Sequence, residues 1–474
     1  LTDKNNKHDI IELINQGCSA ITACRSVLLG KLAKFNHSKD PELLNDNKEL
    51  SSLLLEFINT LHNRDDSTVV LPNLKEKAVI VAENLSPALF LSLDIEKVQA
   101  VVLEFGRDSG HLGVVLRELG IPAIFGVQGA TSIENGTKLL VDGNNGVLVI
   151  DPEENTAQAM LERQDLFNDE TNDDSLINVT IAGAVGAIRQ INGNSLYTTH
   201  GLGLLRSEFL FLGYDHEPTE EEMTKAFFKL FAPISKTAPI TARTFDFADD
   251  KKPLFRIHLD DQGPLKGYGA EVGSRLLKKE IRALLLSSAG RNIKIIFPLI
   301  TRLSEAVYLK NLAAECCQEL DELKKEHGTY EIGFMSETPS SVLCAQGFSV
   351  DCSLIIIGTS SLAEYASAPR PADKAFTPAL AKMIVMAAKA AHELHIPVGV
   401  AGRYAPRIEL LKFFYKLGVI YYAVDGYQIN RMRNAVEQLN IDSQCEPEFD
   451  INLYNEVMNI FTGKELSALI NRLN

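Results

Sequence analysis

Three features are missing from this 474-residue chain, and each absence removes a class of function. There is no apolar run near the roughly 20 residues that a membrane-spanning helix needs, and no signal-peptide pattern at the start. There is no basic surplus: 47 Lys and Arg stand against 62 Asp and Glu, a net charge of −15. That balance argues against a general nucleic-acid or acidic-membrane surface, so an anionic ligand needs a local basic pocket. The seven cysteines (Cys18, Cys24, Cys316, Cys317, Cys344, Cys352 and Cys445) form no CxxC pair and no metal-ligand spacing. An odd, scattered set in a chain this long reads as reduced thiols of a cytoplasmic protein. We therefore expect a cytoplasmic protein with no nucleic-acid and no membrane partner. Leu1 in place of an initiating methionine leads us to expect a trimmed or incomplete N-terminus.

What is present is ordinary for a globular protein: 45% hydrophobic and 23% charged residues, in a length that sets a prior of two to four domains. Residues from about 8 to 63 carry helical spacing, as in Ile10-Ile11-x-x-Ile14 and Leu50-x-x-Leu53-Leu54-Leu55. From about 72 to 152 short β-rich runs alternate with turns: Ala78–Ala82, Ala100–Leu103, Ala123–Phe125, Leu139–Val141 and Gly146–Ile150. That pattern predicts a compact α/β unit. The polar, acidic stretch from Pro152 to Asp174 reads as a connector or a solvated helix.

From 177 onward eight strand-like runs alternate with helical stretches. They are Ile177–Ala182, Gly201–Arg206, Ile240–Asp246, Ile293–Leu299, Glu331–Ser336, Leu354–Gly358, Ile396–Ala401 and Val419–Val424. Ala270–Leu286, Ser304–Lys325 and Pro378–Leu394 have helical length and spacing between them. Eight β–α alternations in roughly 300 residues predict a (β/α)8 barrel rather than an open sheet, with any chemistry at the C-terminal ends of the strands.

Gly106-Arg107-Asp108-Ser109-Gly110-His111 leads into the apolar pattern Leu112–Leu119, which stops at Gly120-Ile121-Pro122. His111 should therefore stand at a helix N-terminus, where free N–H groups and the positive dipole end suit an anion and disfavour the imidazolium. A neutral imidazole beside an anion site can accept a phosphoryl group. A histidine that merely starts a helix is the alternative, and the residues alone leave both open.

This stretch resembles the phosphohistidine motif of the phosphoenolpyruvate (PEP)-utilising enzymes, Gly-Gly-x-Thr-Ser-His-x-x-Ile-x-Ala-Arg, followed by a Gly-Ile-Pro-Ala turn. Aligned on Arg117, His111 takes the place of the phosphorylated histidine, with Ser109 and Gly110 in place of the threonine and serine before it. Ala82-Glu83-Asn84-Leu85-Ser86-Pro87 and Asp142-Gly143…Gly146…Asp151-Pro152 resemble the entry and exit of the family's swivelling phosphohistidine domain. The resemblance is nearest to the enzyme I group, the PEP–protein phosphotransferases of the sugar phosphotransferase system. It implies a short helical segment over 1–72, a remnant of the phosphocarrier-binding domain, and a phosphohistidine swivel domain over 73–152. A hinge at 153–176 and a PEP-binding (β/α)8 TIM barrel at 177–474 follow.

Within the barrel, Gly201-Leu202-Gly203-Leu204-Leu205-Arg206-Ser207-Glu208-Phe209 is similar to the family's Gly-Ile-Gly-Leu-x-Arg-Thr-Glu-Phe. Arg243-Thr244-Phe245-Asp246 is similar to its Arg-Thr-x-Asp. The resemblance assigns substrate phosphate to Arg206 and Arg243, work suited to guanidinium forks that hold two oxygens and stay charged. Gly273-Ser274-Arg275 and Ala368-Pro369-Arg370 match the further substrate arginines Arg275 and Arg370. Met335-Ser336-Glu337-Thr338-Pro339 is similar to Met-x-Glu-x-Pro, which makes Glu337 an expected Mg²⁺ ligand. Two motifs depart from the family. Ile357-Gly358-Thr359-Ser360-Ser361-Leu362 carries Ser360 and Ser361 where the family has asparagine and the second metal aspartate. Gly399-Val400-Ala401-Gly402-Arg403 carries Ala401 in place of the cysteine that protonates the enolpyruvate carbon, and Arg403 in place of a glutamate. A hydroxyl is a poor substitute for a magnesium carboxylate, and alanine has no proton to give.

The resemblance thus implies a PEP-dependent protein phosphotransferase that carries its phosphoryl group on His111, with impaired or altered catalysis. Mg²⁺, a histidine-containing phosphocarrier partner and a homodimer come with it. The alternatives are a catalytically inactive sensor of PEP or another phosphorylated anion, and a scaffold or regulatory interaction protein.

Overall fold

The structure, a computed structural model, describes residues 4–18, 22–24, 26–27, 74–108, 110–158, 179–191, 201–247, 253, 255, 273–348, 351–367, 375–438 and 447–474. The chain forms two compact units, Leu1–Ala159 and Met160–Asn474.

In the first unit a helix spans Lys4–Asn15, within the predicted helical segment. The rest of that expectation, from 28 to 73, lies outside the described residues. Three strands, β1 (Ala78–Ala82), β2 (Val98–Leu103) and β3 (Ala123–Phe125), form a parallel sheet in sequence order, and β4 (Leu139–Asp142) pairs antiparallel with β5 (Val147–Ile150). All five fall on the predicted runs. β2 buries five of its six side chains because parallel strands are covered on both faces. A short helix, His111–Glu118, packs Leu112, Val115 and Leu116 into the interior and ends at Gly120, whose φ of 65° reverses the chain.

The second unit is a closed parallel barrel of β6 (Thr180–Val185), β7 (Leu202–Arg206), β8 (Ile240–Arg243), β9 (Asn292–Phe297), β10 (Thr329–Ser336), β11 (Leu354–Gly358), β12 (Val398–Ala401) and β13 (Val419–Asp425). β13 returns to pair with β6, Tyr422 opposite Ile181, so neighbours follow sequence order all the way round. Leu204, Ile296, Met335, Ile356, Ala401 and Tyr421 fill the interior, which is therefore a packed core rather than a pore. The Tyr421 hydroxyl is satisfied there by the Gly203 carbonyl (2.9 Å) and Thr241 Oγ1 (2.9 Å). Among the described residues, no helix is long and apolar enough to cross a membrane.

The surrounding helices carry their own start signals. Thr219 and Glu222 close a capping box on Glu220–Phe231, and Thr377 caps Pro378–Glu393, with proline in the first turn. Arg282 links three helices outside the barrel, its Nε 2.7 Å from Glu220 Oε2 and its Nη1 2.8 Å from Glu319 Oε2. The helix expected at 270–286 begins at Ser274, after Gly273 with φ 69°. β8 stops at Arg243, three residues short of its predicted end. The chain beyond it is held sideways by Glu280, whose two carboxylate oxygens accept the Phe245 N–H at 3.1 and 3.0 Å.

Candidate active site at the barrel mouth

Parallel strands in a closed barrel all end on one face, so residues far apart in sequence meet there. Arg206 is the last residue of β7, Arg243 of β8 and Asp425 of β13, while Glu337, Thr359 and Gly402 directly follow β10, β11 and β12.

Arg243 is buried between two carboxylates. Its Nη2 donates to Glu208 Oε1, and its Nη1 lies 3.3 Å from Asp246 Oδ2. Arg206 Nη2 stands 3.5 Å from Asp425 Oδ1, with about a fifth of each side chain exposed. Both predicted phosphate-binding arginines thus lie at the mouth, each facing acidic side chains. Arg275 has a different setting. It pairs with Glu217 at 2.9 Å, and half of its side chain is exposed. Arg370 and Ser109 lie outside the described residues.

Glu337 is buried. Its Oε1 accepts the Leu299 N–H at 3.0 Å and its Oε2 accepts the Ser361 hydroxyl at 2.9 Å. Leu299 has φ 51°, a conformation that costs a non-glycine residue about 1 kcal/mol or more, and it aims its N–H at the carboxylate. Gly358 makes room for the glutamate: a Cβ there would lie 2.6 Å from Glu337 Cβ and 2.8 Å from its Oε2. Burial raises the Glu337 carboxyl above the usual range, with Arg243 opposing the rise and Asp246 adding to it. Ser360 Oγ accepts the Arg403 N–H at 2.9 Å, and the Ala401 carbonyl accepts the Thr359 hydroxyl at 2.7 Å. Of the positions where this sequence departs from the family pattern, Ser360 and Arg403 are therefore joined directly, while Ser361 bonds Glu337 and Ala401 bonds Thr359.

Sequence reading passed over Glu280. It is fully buried, and burial pushes its carboxyl up to about 8. Ser207 Oγ lies 2.5 Å from Glu280 Oε1 and 2.9 Å from the Arg243 carbonyl. Ser207 has one proton for two acceptors, Glu280 Oε1 and the Arg243 carbonyl, and its hydrogen bond to Glu280 opposes the rise that burial imposes. A glutamate on a helix in KKEIRALLL has no signal that it will be drawn under a barrel strand.

In the first unit the helix starts at His111, as predicted, and Gly110 is its N-cap. Arg117 Nη2 donates to the Asp108 carbonyl at 2.9 Å and so ties the preceding loop to the helix. Gly113 is required by the same packing, because a Cβ there would meet the Asp108 carbonyl oxygen at 2.5 Å. A small cleft beside this loop is lined by Asn84, Leu103, Phe105, Arg107, Gly110 and Phe125.

Fold and site together define a (β/α)8 barrel protein whose strand ends gather arginine and carboxylate side chains, preceded by a small α/β unit with a histidine at a helix start. The PEP-binding domain of the PEP-utilising enzymes matches residues 160–441, and the mobile domain of the same enzymes matches 74–146. The chain belongs to the PEP-utilising enzyme family. Among its relatives is the phosphoenolpyruvate-protein phosphotransferase of Bacillus subtilis, 28% identical over 432 residues, which cover 85% of this chain and 74% of the relative. The protein of the same name from Mycoplasma capricolum is 26% identical over 492 residues, covering 98% and 84%. That from Haloferax volcanii is 27% identical over 392 residues, covering 79% and 69%.

The enzyme I relationship carries an expectation of Mg²⁺, and the donors at Glu337 do not fit it. Magnesium sites of this kind use one or two carboxylates with near-octahedral geometry. Here the Glu337 oxygens hold a backbone N–H and the Ser361 hydroxyl, the second position is neutral, and burial favours the uncharged acid. Glu208 and Asp246 are turned to Arg243.

Proposed function

We propose that this chain is an enzyme I-like, PEP-dependent protein phosphotransferase that carries the phosphoryl group on His111 and turns over slowly. The observation that carries this reading is the placement of Arg206 and Arg243 at successive strand ends, on the same barrel mouth as Glu337, in a chain of the PEP-utilising family. An imidazole nitrogen of His111 attacks the phosphorus of PEP, the N–P bond forms and the bond from phosphorus to the enolate oxygen breaks. The arginines hold the phosphate charge as it redistributes, at the cost of loosening their present contacts with Glu208, Asp246 and Asp425. The enolpyruvate carbon then needs a proton, and Ala401 has none to give, so that proton comes from solvent, slowly. Phosphohistidine formation does not depend on that later step.

On this reading the helical segment 1–72, the swivel domain 73–152, the hinge 153–176 and the barrel 177–474 work as the parts of one cytoplasmic enzyme. A histidine-containing phosphocarrier receives the phosphoryl group, and the barrel forms a homodimer. A second reading, a sensor of PEP or a similar anion, is favoured by one feature, the Ser361 to Glu337 hydrogen bond that fills the place of the second metal carboxylate.

Intact mass after incubation with PEP and Mg²⁺, beside a His111→Ala control, tests the choice. An acid-labile adduct of one phosphoryl group, absent from the control, is the expected outcome. PEP binding measurable by calorimetry without any adduct would instead establish the sensor. Absence of both would leave a scaffold.

A further inference from the structure

The opposite end of the barrel holds a second set of chemically active side chains. The helix Leu303–Glu322 carries Cys317 and Asp321 one turn apart, hence on one face, and after it the chain turns back through Lys324 at φ 53°. That turn brings His327 over the last helical turn before β10 begins at Thr329. One oxygen of Asp321, one ring nitrogen of His327 and the sulfur of Cys317 all lie within 4.8 Å of one another.

The hydrogen bonds of His327 indicate what belongs between these atoms. Nδ1 lies 2.9 Å from the Gly328 carbonyl oxygen, which can only accept, so Nδ1 carries the hydrogen. Nε2 of that tautomer presents a lone pair, and it faces Asp321 Oδ1 at 3.1 Å. Two acceptors at that distance need a positive charge between them, a proton on Nε2 or a metal ion, and the Cys317 sulfur beside them is a donor that a metal ion would use and a proton would not. A histidine that donates one ring N–H to a backbone carbonyl while its other nitrogen faces a carboxylate is in the usual posture of a metal ligand. Ligand atoms at about 2.0–2.3 Å from a tetrahedral ion stand about 3.3–3.8 Å apart, inside the 4.8 Å within which all three atoms lie, and Nε2 and Oδ1 are already 3.1 Å apart.

We propose that Cys317, Asp321 and His327 bind a zinc-class divalent ion, with solvent in the fourth position. Sulfur, nitrogen and oxygen donors in one set select Zn²⁺ over Mg²⁺ or Ca²⁺, and binding releases the thiol proton to solvent. The site lies at the N-terminal end of the barrel, away from the mouth, where side chains serve stability rather than chemistry. The ion would staple the end of the helix Leu303–Glu322 to the start of β10. This goes beyond the phosphotransferase reading and does not depend on it.

The test uses the full chain, stripped of metal by a chelator and titrated with Co²⁺ as a spectroscopic probe, then with Zn²⁺ as competitor. We expect one equivalent of Co²⁺ to give a thiolate charge-transfer band and the visible bands of a tetrahedral site, both displaced by Zn²⁺. Cys317→Ser should abolish the charge-transfer band, His327→Gln should weaken Co²⁺ binding at least tenfold, and Cys344→Ser, which alters an exposed thiol elsewhere, should change neither. No bands in the wild-type protein, or bands that survive Cys317→Ser, would overturn the site. If Cys317→Ser fails to fold by circular dichroism, His327→Gln decides alone, and unaltered Co²⁺ affinity overturns the proposal. An imidazolium at His327 that excess Zn²⁺ does not displace, read by NMR, would show that a proton fills the gap and would also overturn it.

Discussion

Ser361 concentrates the chemistry of the barrel mouth in one hydroxyl. It donates to Glu337 at 2.9 Å, a contact open to a neutral donor and closed to a second carboxylate unless a shared proton or a metal ion joins the pair. Ser361→Asp should therefore lower the melting temperature in chelator, by the equivalent of roughly 1–3 kcal/mol. Added Mg²⁺ should restore it, while the wild-type protein should not respond to Mg²⁺. Equal melting of variant and wild type in chelator would show that Glu337 is protonated enough to accept a neighbour. Combined with Ala401→Cys, the same substitution should raise PEP turnover. No gain in the double variant would mean that the pocket differs from an active one beyond these two positions. The departures at Ser360, Ser361, Ala401 and Arg403 were legible in the sequence, because motif and spacing survive around them. The contact of Ser360 with Arg403 was not, since the two follow separate strands. Leu299, Glu208 and Asp425 gave no signal of their own, being ordinary residue types whose roles come from where the barrel closes.

At the scale of elements, Glu280 joins a helix to the turn after β8 and imposes a pH dependence on the fold. Its ordinary value of 4.5 is pushed up to about 8 by burial. Between those values the folded state keeps a proton that the unfolded state has lost, so stability falls as pH rises. The slope is at most about 1.4 kcal/mol per pH unit and flattens above about pH 8. Glu280→Gln keeps a hydrogen-bonding partner for Ser207 and an acceptor for the Phe245 N–H while removing the titration. Melting curves from pH 5 to 9 should show the variant gaining on the wild type as pH rises, with little difference at pH 5. Parallel curves would place the proton elsewhere. Element positions themselves were largely readable: all eight barrel runs became strands, Leu354–Gly358 without any change of boundary. Where boundaries moved, tertiary contacts moved them. β8 is cut short by Glu280, and β6 runs to Val185 because β13 pairs with it from Tyr421 opposite Thr180 to Asp425 opposite Ala184 and β7 pairs with it at Leu205 opposite Val185.

At the scale of the whole molecule, the proposed reaction needs a residue from each unit. Arg206→Ala, in the barrel, should slow phosphoryl labelling of His111, in the α/β unit, by 100-fold or more, with little change in melting because the pair it leaves is partly exposed. Labelling at the wild-type rate would mean that the barrel does not present PEP to His111. The sequence by itself determined the (β/α)8 alternation, the helix start at His111 and the family, since periodicity, turn residues and motif spacing are local and survive as text. Tertiary structure alone decided which charges face one another. Arg243 lies between Glu208 and Asp246, Glu337 under Ser361, and Asp321 against His327, because barrel closure and chain reversal set those distances while sequence separation does not.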